Sequence, residues 1–365
     1  MSRPRVLVSG YYGFGNAGDE AILAGLLEGF RQLLPQADLL VLSGNPEATE
    51  REHGVNAVPR SLRSLRSHLQ KADLFISGGG GLLQDTTSWR SPLYYLATIR
   101  LARAARVPVA CVGHSIGPLR RRWVRALVRR HLSTVDVLAV RDQASAEALR
   151  ALGVHRPVAV TADFAFALHP PSPDESSRAW QHASLPHDSR PAAAICLRRP
   201  PGRPDHHLAA SLAASIARAS RPLGLRLLLL PMQHPQDLAF AEQVARAMPA
   251  SVEIVQADLT ARQLLALIAG FELVIAMRLH ALIFAAICGR PPVAISYDPK
   301  VEGMMHELGL PTATSASGLH AEALGEAIRS AFQNREAIAR AIGDRVAALR
   351  AAALRNIELA AALVT

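Results

Sequence analysis

An arginine and a histidine two residues apart, Arg278 and His280, follow directly on the apolar run Leu273–Ala276 and precede a helical pattern. At the carboxyl end of a strand, beside the free amides of a helix start, such a pair suits an anion and a proton transfer. Arginine can grip a carboxylate or phosphate bidentately, each charge-assisted bond being worth about 1.5–3 kcal/mol, and histidine can move a proton near neutral pH. Other strand ends repeat the theme. Arg198 and Arg199 follow Ala192–Leu197, Gln233 and His234 follow Leu225–Leu230, and Tyr297, Asp298 and Lys300 follow Pro292–Ile295. Lys300 draws attention because the chain has only one other lysine, Lys71, among 40 basic residues, and a lysine offers a compact ammonium where arginine offers a planar fork. No His/Cys/Asp/Glu spacing reads as a metal site, so no metal and no cofactor are expected.

The first half carries a different chemistry. Gly13, Gly15 and Gly18 satisfy G-x-G-x-x-G after the first apolar run, but Asp19 and Glu20 stand on the first helical turn, where a pyrophosphate would have to lie. Carboxylates there favour the helix dipole and repel a phosphate. The second run ends in Ser43-Gly44-Asn45, with no acid for a ribose. Gly15, Asn16, Asp19 and Glu20 therefore suit sugar hydroxyls, with one carboxylate as base; simple capping by Asp19 and Glu20 explains the same residues equally well. The run Gly78–Gly81, with Gln84 and Asp85 beyond it, reads as a second place where backbone approaches a ligand, Gly79 and Gly80 foremost. Trp89, Tyr94 and Tyr95 follow, suited either to stacking on a sugar or to filling core.

These residues need a frame. The chain has 365 residues, 50% hydrophobic and 19% charged, enough for two domains and too apolar for disorder. Eleven apolar runs alternate with helical patterns: Val6–Ser9, Leu39–Leu42, Leu74–Ser77, Val107–Val112, Val135–Val140 and Val158–Thr161, then Ala192–Leu197, Leu225–Leu230, Val252–Val255, Leu273–Ala276 and Pro292–Ile295. Continuous apolarity predicts strands buried on both faces, as in parallel sheets covered by helices. The expected fold is two doubly wound, Rossmann-like α/β domains facing a cleft, 1–168 and 191–334, joined by the proline-broken stretch 169–190. A helix over 335–365 closes the chain and is expected to pack back on the first domain. Ligands in this architecture gather at the carboxyl ends of the strands.

The net charge of +10 favours anionic partners. Arg120–His131 reads as a basic amphipathic helix, and Arg60, Arg63 and Arg66 as a second basic ridge, both suited to anionic lipid or to a solvated face. No nucleic-acid module accompanies the charge. Three scattered cysteines and an apolar run beginning at Arg5 predict a cytoplasmic protein without a signal peptide or a bilayer span, with the inner face of the membrane as a second expected place.

The same residues resemble a family. Gly10–Glu20, Ser77-Gly78-Gly79-Gly80, Ser115-Ile116-Gly117-Pro118, Val140-Arg141-Asp142, Thr161-Ala162-Asp163, Leu197-Arg198, Pro231-Met232-Gln233, Arg278-Leu279-His280 and Ser296–Lys300 occur in the order found in polysaccharide pyruvyltransferases, in particular the CsaB-like branch. His114 and Phe164 depart from that pattern, where glutamine and proline are more usual. The resemblance implies a GT-B-like fold and transfer of pyruvate from phosphoenolpyruvate to a sugar diol as a cyclic ketal. The implied acceptor is a β-N-acetylmannosamine unit on a lipid-diphosphate-linked cell-wall precursor, of the kind that serves S-layer anchoring. It also implies that Arg198, Arg278 and His280 hold the donor and that His280 is the general acid/base; the strand-end reading adds Gln233 and Lys300 to the same rim. A glycosyltransferase using a nucleotide sugar would share the fold; a non-catalytic anion-binding protein would share only the charge.

Overall fold

The computed structural model describes residues 3–86, 88–186, 188–200 and 206–365. Two compact units emerge: one comprises 1–15, 19–168 and 348–365, the other 16–18 and 169–347. His187, within the stretch read as a joining segment, lies outside the described residues.

The first unit runs β1 (Arg5–Tyr12), α1 (Ala17–Leu33), β2 (Asp38–Ser43), α2 (Pro46–His53), β3 (Asn56–Pro59), α3 (Leu62–Leu69), β4 (Leu74–Leu83), α4 (Arg90–Ala104), β5 (Val109–Ile116), α5 (Arg122–Leu132), β6 (Val137–Val140), α6 (Gln143–Ala151) and β7 (Ala159–Val160). Its sheet has the order β3-β2-β1-β4-β5-β6-β7, every pair parallel. That is a doubly wound sheet with its switch point between β1 and β4. One face packs Leu7, Phe75, Val109 and Cys111 under α3–α6. The other packs Val6, Val8, Ile76 and Val112 under α1 and the closing helix.

The second unit runs α7 (Pro173–His182), β8 (Ala192–Cys196), α8 (His206–Ser220), β9 (Arg226–Leu229), α9 (Gln236–Ala247), β10 (Glu253–Ile254), α10 (Ala261–Ile268), β11 (Leu273–Ala276), α11 (Leu279–Ile287), β12 (Pro292–Ser296), α12 (Pro299–Glu307), β13 (Thr314–Ser315) and α13 (Ala321–Gln333). Its all-parallel order is β10-β9-β8-β11-β12-β13. The long α14 (Arg335–Ala361) starts here, and its residues from 348 onward group with the first unit. Buried Asn356 fixes that end, accepting from the Thr161 hydroxyl at 2.8 Å and donating to the Ala162 carbonyl at 3.0 Å.

Three expectations change. The proline-broken stretch is not a bare connector: Ser172-Pro173-Asp174-Glu175 is a capping box that starts α7. Trp180 of α7 then packs on Phe271 and donates to the Leu267 carbonyl. Prolines at helix starts read as linker when their capping partners are overlooked. Two edge strands, β3 and β13, escaped the pattern because they are short and carry little apolar sequence. The glycine run is not a loop beyond a strand. It lies inside β4, paired with β5 from Gly78↔Val112 to Gly80↔His114. Gly79 has φ +64°, and a Cβ there would stand 2.6 Å from Ile22 Cγ2 and 3.1 Å from Phe164 Cδ2. Close packing beneath α1, not exposure to a ligand, demands that glycine.

Candidate active site

The carboxyl ends of β8, β9, β11 and β12 bring the basic residues of the second unit together. Backbone bonds set the register first: the Met277 amide donates to the Cys196 carbonyl, tying the end of β11 to that of β8. Arg278 is then the extended N-cap of α11, and His280 stands on that helix's first turn.

Arg278 is held more firmly than its sequence suggested. It is buried, and its Nε donates to Asp237 Oδ2 at 2.8 Å while Nη2 donates to Asp237 Oδ1 and to Gln233 Oε1 at 3.0 Å. Asp237 is itself fully buried and also accepts from the Met232 amide at 3.2 Å. The bidentate edge expected to grip a ligand is therefore turned to an internal carboxylate. Sequence reading missed Asp237. Its one signal was the spacing Gln233-x-x-x-Asp237 across the start of α9.

Arg198 is half-buried. Its Nη1 donates to the Tyr297 hydroxyl at 3.1 Å, and its guanidinium lies 5.1 Å from that ring. Its Nε is buried with no hydrogen-bond partner among the described residues, so an anion docking there would satisfy a donor otherwise costly to bury. Lys300 is half-buried on the first turn of α12, with its amide on the Asp298 carboxylate at 3.0 Å. Arg199 donates to Gln243 at 2.7 Å and lies near the Phe240 ring.

Asn16–Gly18 groups with this unit. Asn16 bridges Gln233, and the Ala17 amide donates to the Met232 carbonyl at 3.1 Å. Gly18 lies against His280 so closely that a Cβ would fall 2.2 Å from its Nδ1. The third glycine of the dinucleotide-like motif thus makes room for an imidazole. Beside Arg198, Tyr297 and Phe240 line a cavity of about 300 Å³ whose other walls include Ser296, Asp298 and Glu302.

In the first unit, the residues expected to meet sugar hydroxyls separate into two kinds. Asp19 is half-buried next to Gly80, whose Cβ would lie 3.3 Å from Asp19 Oδ1. Gly15 is exposed. Glu20, by contrast, is buried with its oxygens on the Gly13 amide at 2.8 Å and on His53 Nε2 at 3.1 Å. It shapes the glycine loop and is not presented to a sugar. Glu52 joins Glu20 and His53 closely enough for three ligand atoms to meet a cation, a grouping that sequence spacing did not suggest. Gln84 turns back on Thr86.

Asp85 is also structural. It is buried and accepts from the Arg120 and Arg121 amides at 2.6 and 2.9 Å, fixing the approach to α5. Burial would raise its pKa, but those amides and the Arg121 guanidinium outweigh it and hold the carboxyl below its ordinary value. A pKa lowered on folding means stability present above the unfolded value, about 3.9, and lost as pH falls through the folded one. Asp85→Asn is expected to cost about 1–3 kcal/mol at pH 7, with the gap to wild type closing below about pH 4. Urea unfolding at pH 7 and at a series of lower pH values measures both; a gap that does not narrow as pH falls below the unfolded value would refute the assignment.

The aromatic residues divide similarly. Tyr95 is fully buried, and Arg60 turns inward over the Tyr94 ring at 3.8 Å while donating to the Tyr95 hydroxyl at 3.1 Å. Arg60 therefore leaves the expected basic ridge. His114, one departure from the family pattern, is buried on Ser77, and burial pushes its pKa down to about 4. Two further motifs are internal struts: Arg141 pairs with Asp163 at 2.8 Å, and Asp142 caps α6.

Comparison with known proteins agrees with this architecture. Against solved structures, the chain superposes on a UDP-GlcNAc 2-epimerase from Neisseria meningitidis (TM-score 0.65, 11% identity, 97% of this chain and 99% of that one). It also superposes on a glycosyltransferase from Rickettsia africae (TM-score 0.66, 10% identity, 100% of both chains). Both likenesses bear on the fold, which is of the GT-B type expected. The chain is 26% identical over 273 residues to the amylovoran biosynthesis protein AmsJ of Erwinia amylovora, covering 71% of this chain and 65% of that relative's length. Residues 16–299 match the sequence pattern of the polysaccharide pyruvyl transferases. That match begins at the asparagine beside Gln233, ends at the proline that opens α12, and takes in Arg198, Arg278 and His280 on the way, so the chain belongs to the polysaccharide pyruvyl transferase family.

Proposed function

We propose that the protein transfers pyruvate from phosphoenolpyruvate to two hydroxyls of a sugar, forming a cyclic ketal and releasing phosphate. The acceptor we favour is β-N-acetylmannosamine on a lipid-diphosphate-linked precursor. The observation that carries the reading is the rim of the second unit: Arg198 with an unmatched buried Nε, and Arg278 locked in place beside His280. A small, doubly charged donor needs this kind of site, in which fixed cations do the positioning.

In the proposed sequence, Arg198, Arg278 Nη1 and Lys300 fix the donor's carboxylate and phosphate. Protonated His280 delivers a proton to the methylene carbon, which becomes the methyl group as positive charge develops on the quaternary carbon. One sugar hydroxyl adds there, phosphate leaves, and the second hydroxyl closes the ring. Of the two hydroxyl protons, one replaces the proton that His280 gave and the other departs with phosphate. Asp19, rather than Glu20, is the carboxylate we assign to deprotonate a hydroxyl, because Glu20 is committed to Gly13 and His53. No metal or cofactor enters the scheme.

A second reading has one observation in its favour. The cavity lined by Tyr297, Phe240, Ser296, Asp298 and Glu302 offers aromatic walls and carboxylates of the sort a nucleoside uses. The epimerase of the same fold is described as bound to UDP-GlcNAc. Phosphate release separates the two. With phosphoenolpyruvate and a synthetic lipid-linked aminosugar, release is expected only when both are present. Consumption of a nucleotide sugar without phosphoenolpyruvate would overturn the pyruvyl reading.

A further inference from the structure

We propose that the face of the first unit carrying Trp89, Trp123 and α5 docks on an anionic lipid bilayer. α5 buries Val124, Val128 and Leu132 and turns Arg122, Arg125, Arg129 and Arg130 to solvent. From Leu119 to Ser133 the sequence holds no acid. Asp85, which borders this stretch, is buried and already engaged by the Arg120 and Arg121 amides. The positive charge on this face therefore stands uncompensated by acids of its own segment.

Charge alone would fit many partners; the tryptophans narrow the choice. Trp89 and Trp123 are 42% and 45% exposed, and they meet edge to face with ring centroids 5.9 Å apart. Two large apolar rings in contact at the surface, ringed by arginine, match the depth at which indoles settle in a membrane interface. Guanidinium groups beside them meet the phosphates, at about 1 kcal/mol for each near the surface. A groove beside α5, lined by Trp123, Ala126, Leu127 and Arg130, continues the apolar strip. Single-stranded nucleic acid would use the same rings as stacking platforms. Here the Arg90 guanidinium sits 5.5 Å over Trp89, and the edge contact with Trp123 further occupies the pair. That arrangement suits insertion of the pair as a unit better than stacking on bases.

The test is partition of the intact protein onto vesicles in 0.1 M salt. Vesicles containing phosphatidylglycerol are expected to bind it and phosphatidylcholine vesicles are not. Brominated acyl chains in the anionic vesicles should quench tryptophan emission, and quenching should vanish in the Trp89→Ser/Trp123→Ser double variant, which keeps Trp180 of α7 in the second unit. That variant, and separately Arg122→Glu/Arg130→Glu, should each weaken partition about tenfold or more, with thermal melting unchanged. Absence of binding to the anionic vesicles would overturn the proposal, as would quenching unaltered in the tryptophan variant. Displacement of bound protein by an equimolar single-stranded oligonucleotide would also overturn it, in favour of nucleic acid.

Discussion

Arg278→Ala is expected to lose turnover by at least about a thousandfold and to unfold more easily by about 3–5 kcal/mol. Both effects trace to one pair. Removing the guanidinium withdraws a cation from the proposed donor site and leaves Asp237 buried and stripped of its bidentate partner. Loss of activity in this variant alone would therefore be ambiguous, since a partly unfolded protein is also inactive. The double variant Arg278→Gln/Asp237→Asn separates the effects. Two neutral amides of similar shape can hydrogen-bond to each other without a stranded charge, so most of the lost stability should return. The anion site would stay empty of its cation and turnover should remain as low as in the single variant. Urea denaturation and phosphate release measure the two quantities. A double variant that recovers activity would mean Arg278 serves the fold only, and the donor site would have to be rebuilt around Arg198 and Lys300.

That pair also marks the limit of what the sequence disclosed. Two doubly wound sheets were legible because parallel strands buried on both faces must be apolar along nearly their whole length, and Val6–Ser9, Leu74–Ser77 and Leu273–Ala276 are, two of them closing on a serine. Residues at strand ends were legible too, since topology sends their side chains to one rim whatever the details. What stayed hidden is which polar groups consume one another. Glu20, Asp85 and Asp19 look alike in a sequence. Burial and the amides of Gly13, Arg120 and Arg121 make two of them scaffolding. Asp237 lies 41 positions before Arg278, and only the adjacency of β8 to both β9 and β11 brings them together. The glycines misled for a related reason. A residue without a side chain marks a close approach, and the sequence does not say whether a ligand or a neighbouring helix makes it.

Gly18→Ala tests one such approach, and its expected effect is large for a single methyl group. The added Cβ would sit 2.2 Å from His280 Nδ1 and 2.7 Å from Cε1, far inside van der Waals contact, so the imidazole must swing away. The ring is the end of a side chain and can move, whereas the backbone of Asn16–Gly18 is pinned by the Ala17–Met232 bond. Alanine inside the first turn of α1 is also a better helix former than glycine by up to about 1 kcal/mol. Stability should accordingly hold or rise slightly. Turnover should fall about a hundredfold or more, because general acid catalysis is worth roughly 10²–10⁴ and depends on the proton's reach. Binding of phosphoenolpyruvate, which we propose Arg198, Arg278 and Lys300 hold, should weaken far less, so the loss appears in kcat rather than KM. His280→Ala should match Gly18→Ala in size, and combining the two should add little, as for residues acting through one group. If Gly18→Ala keeps near-normal kcat while His280→Ala does not, the imidazole works from another position and the glycine is there for packing alone. If both variants keep it, His280 carries no proton.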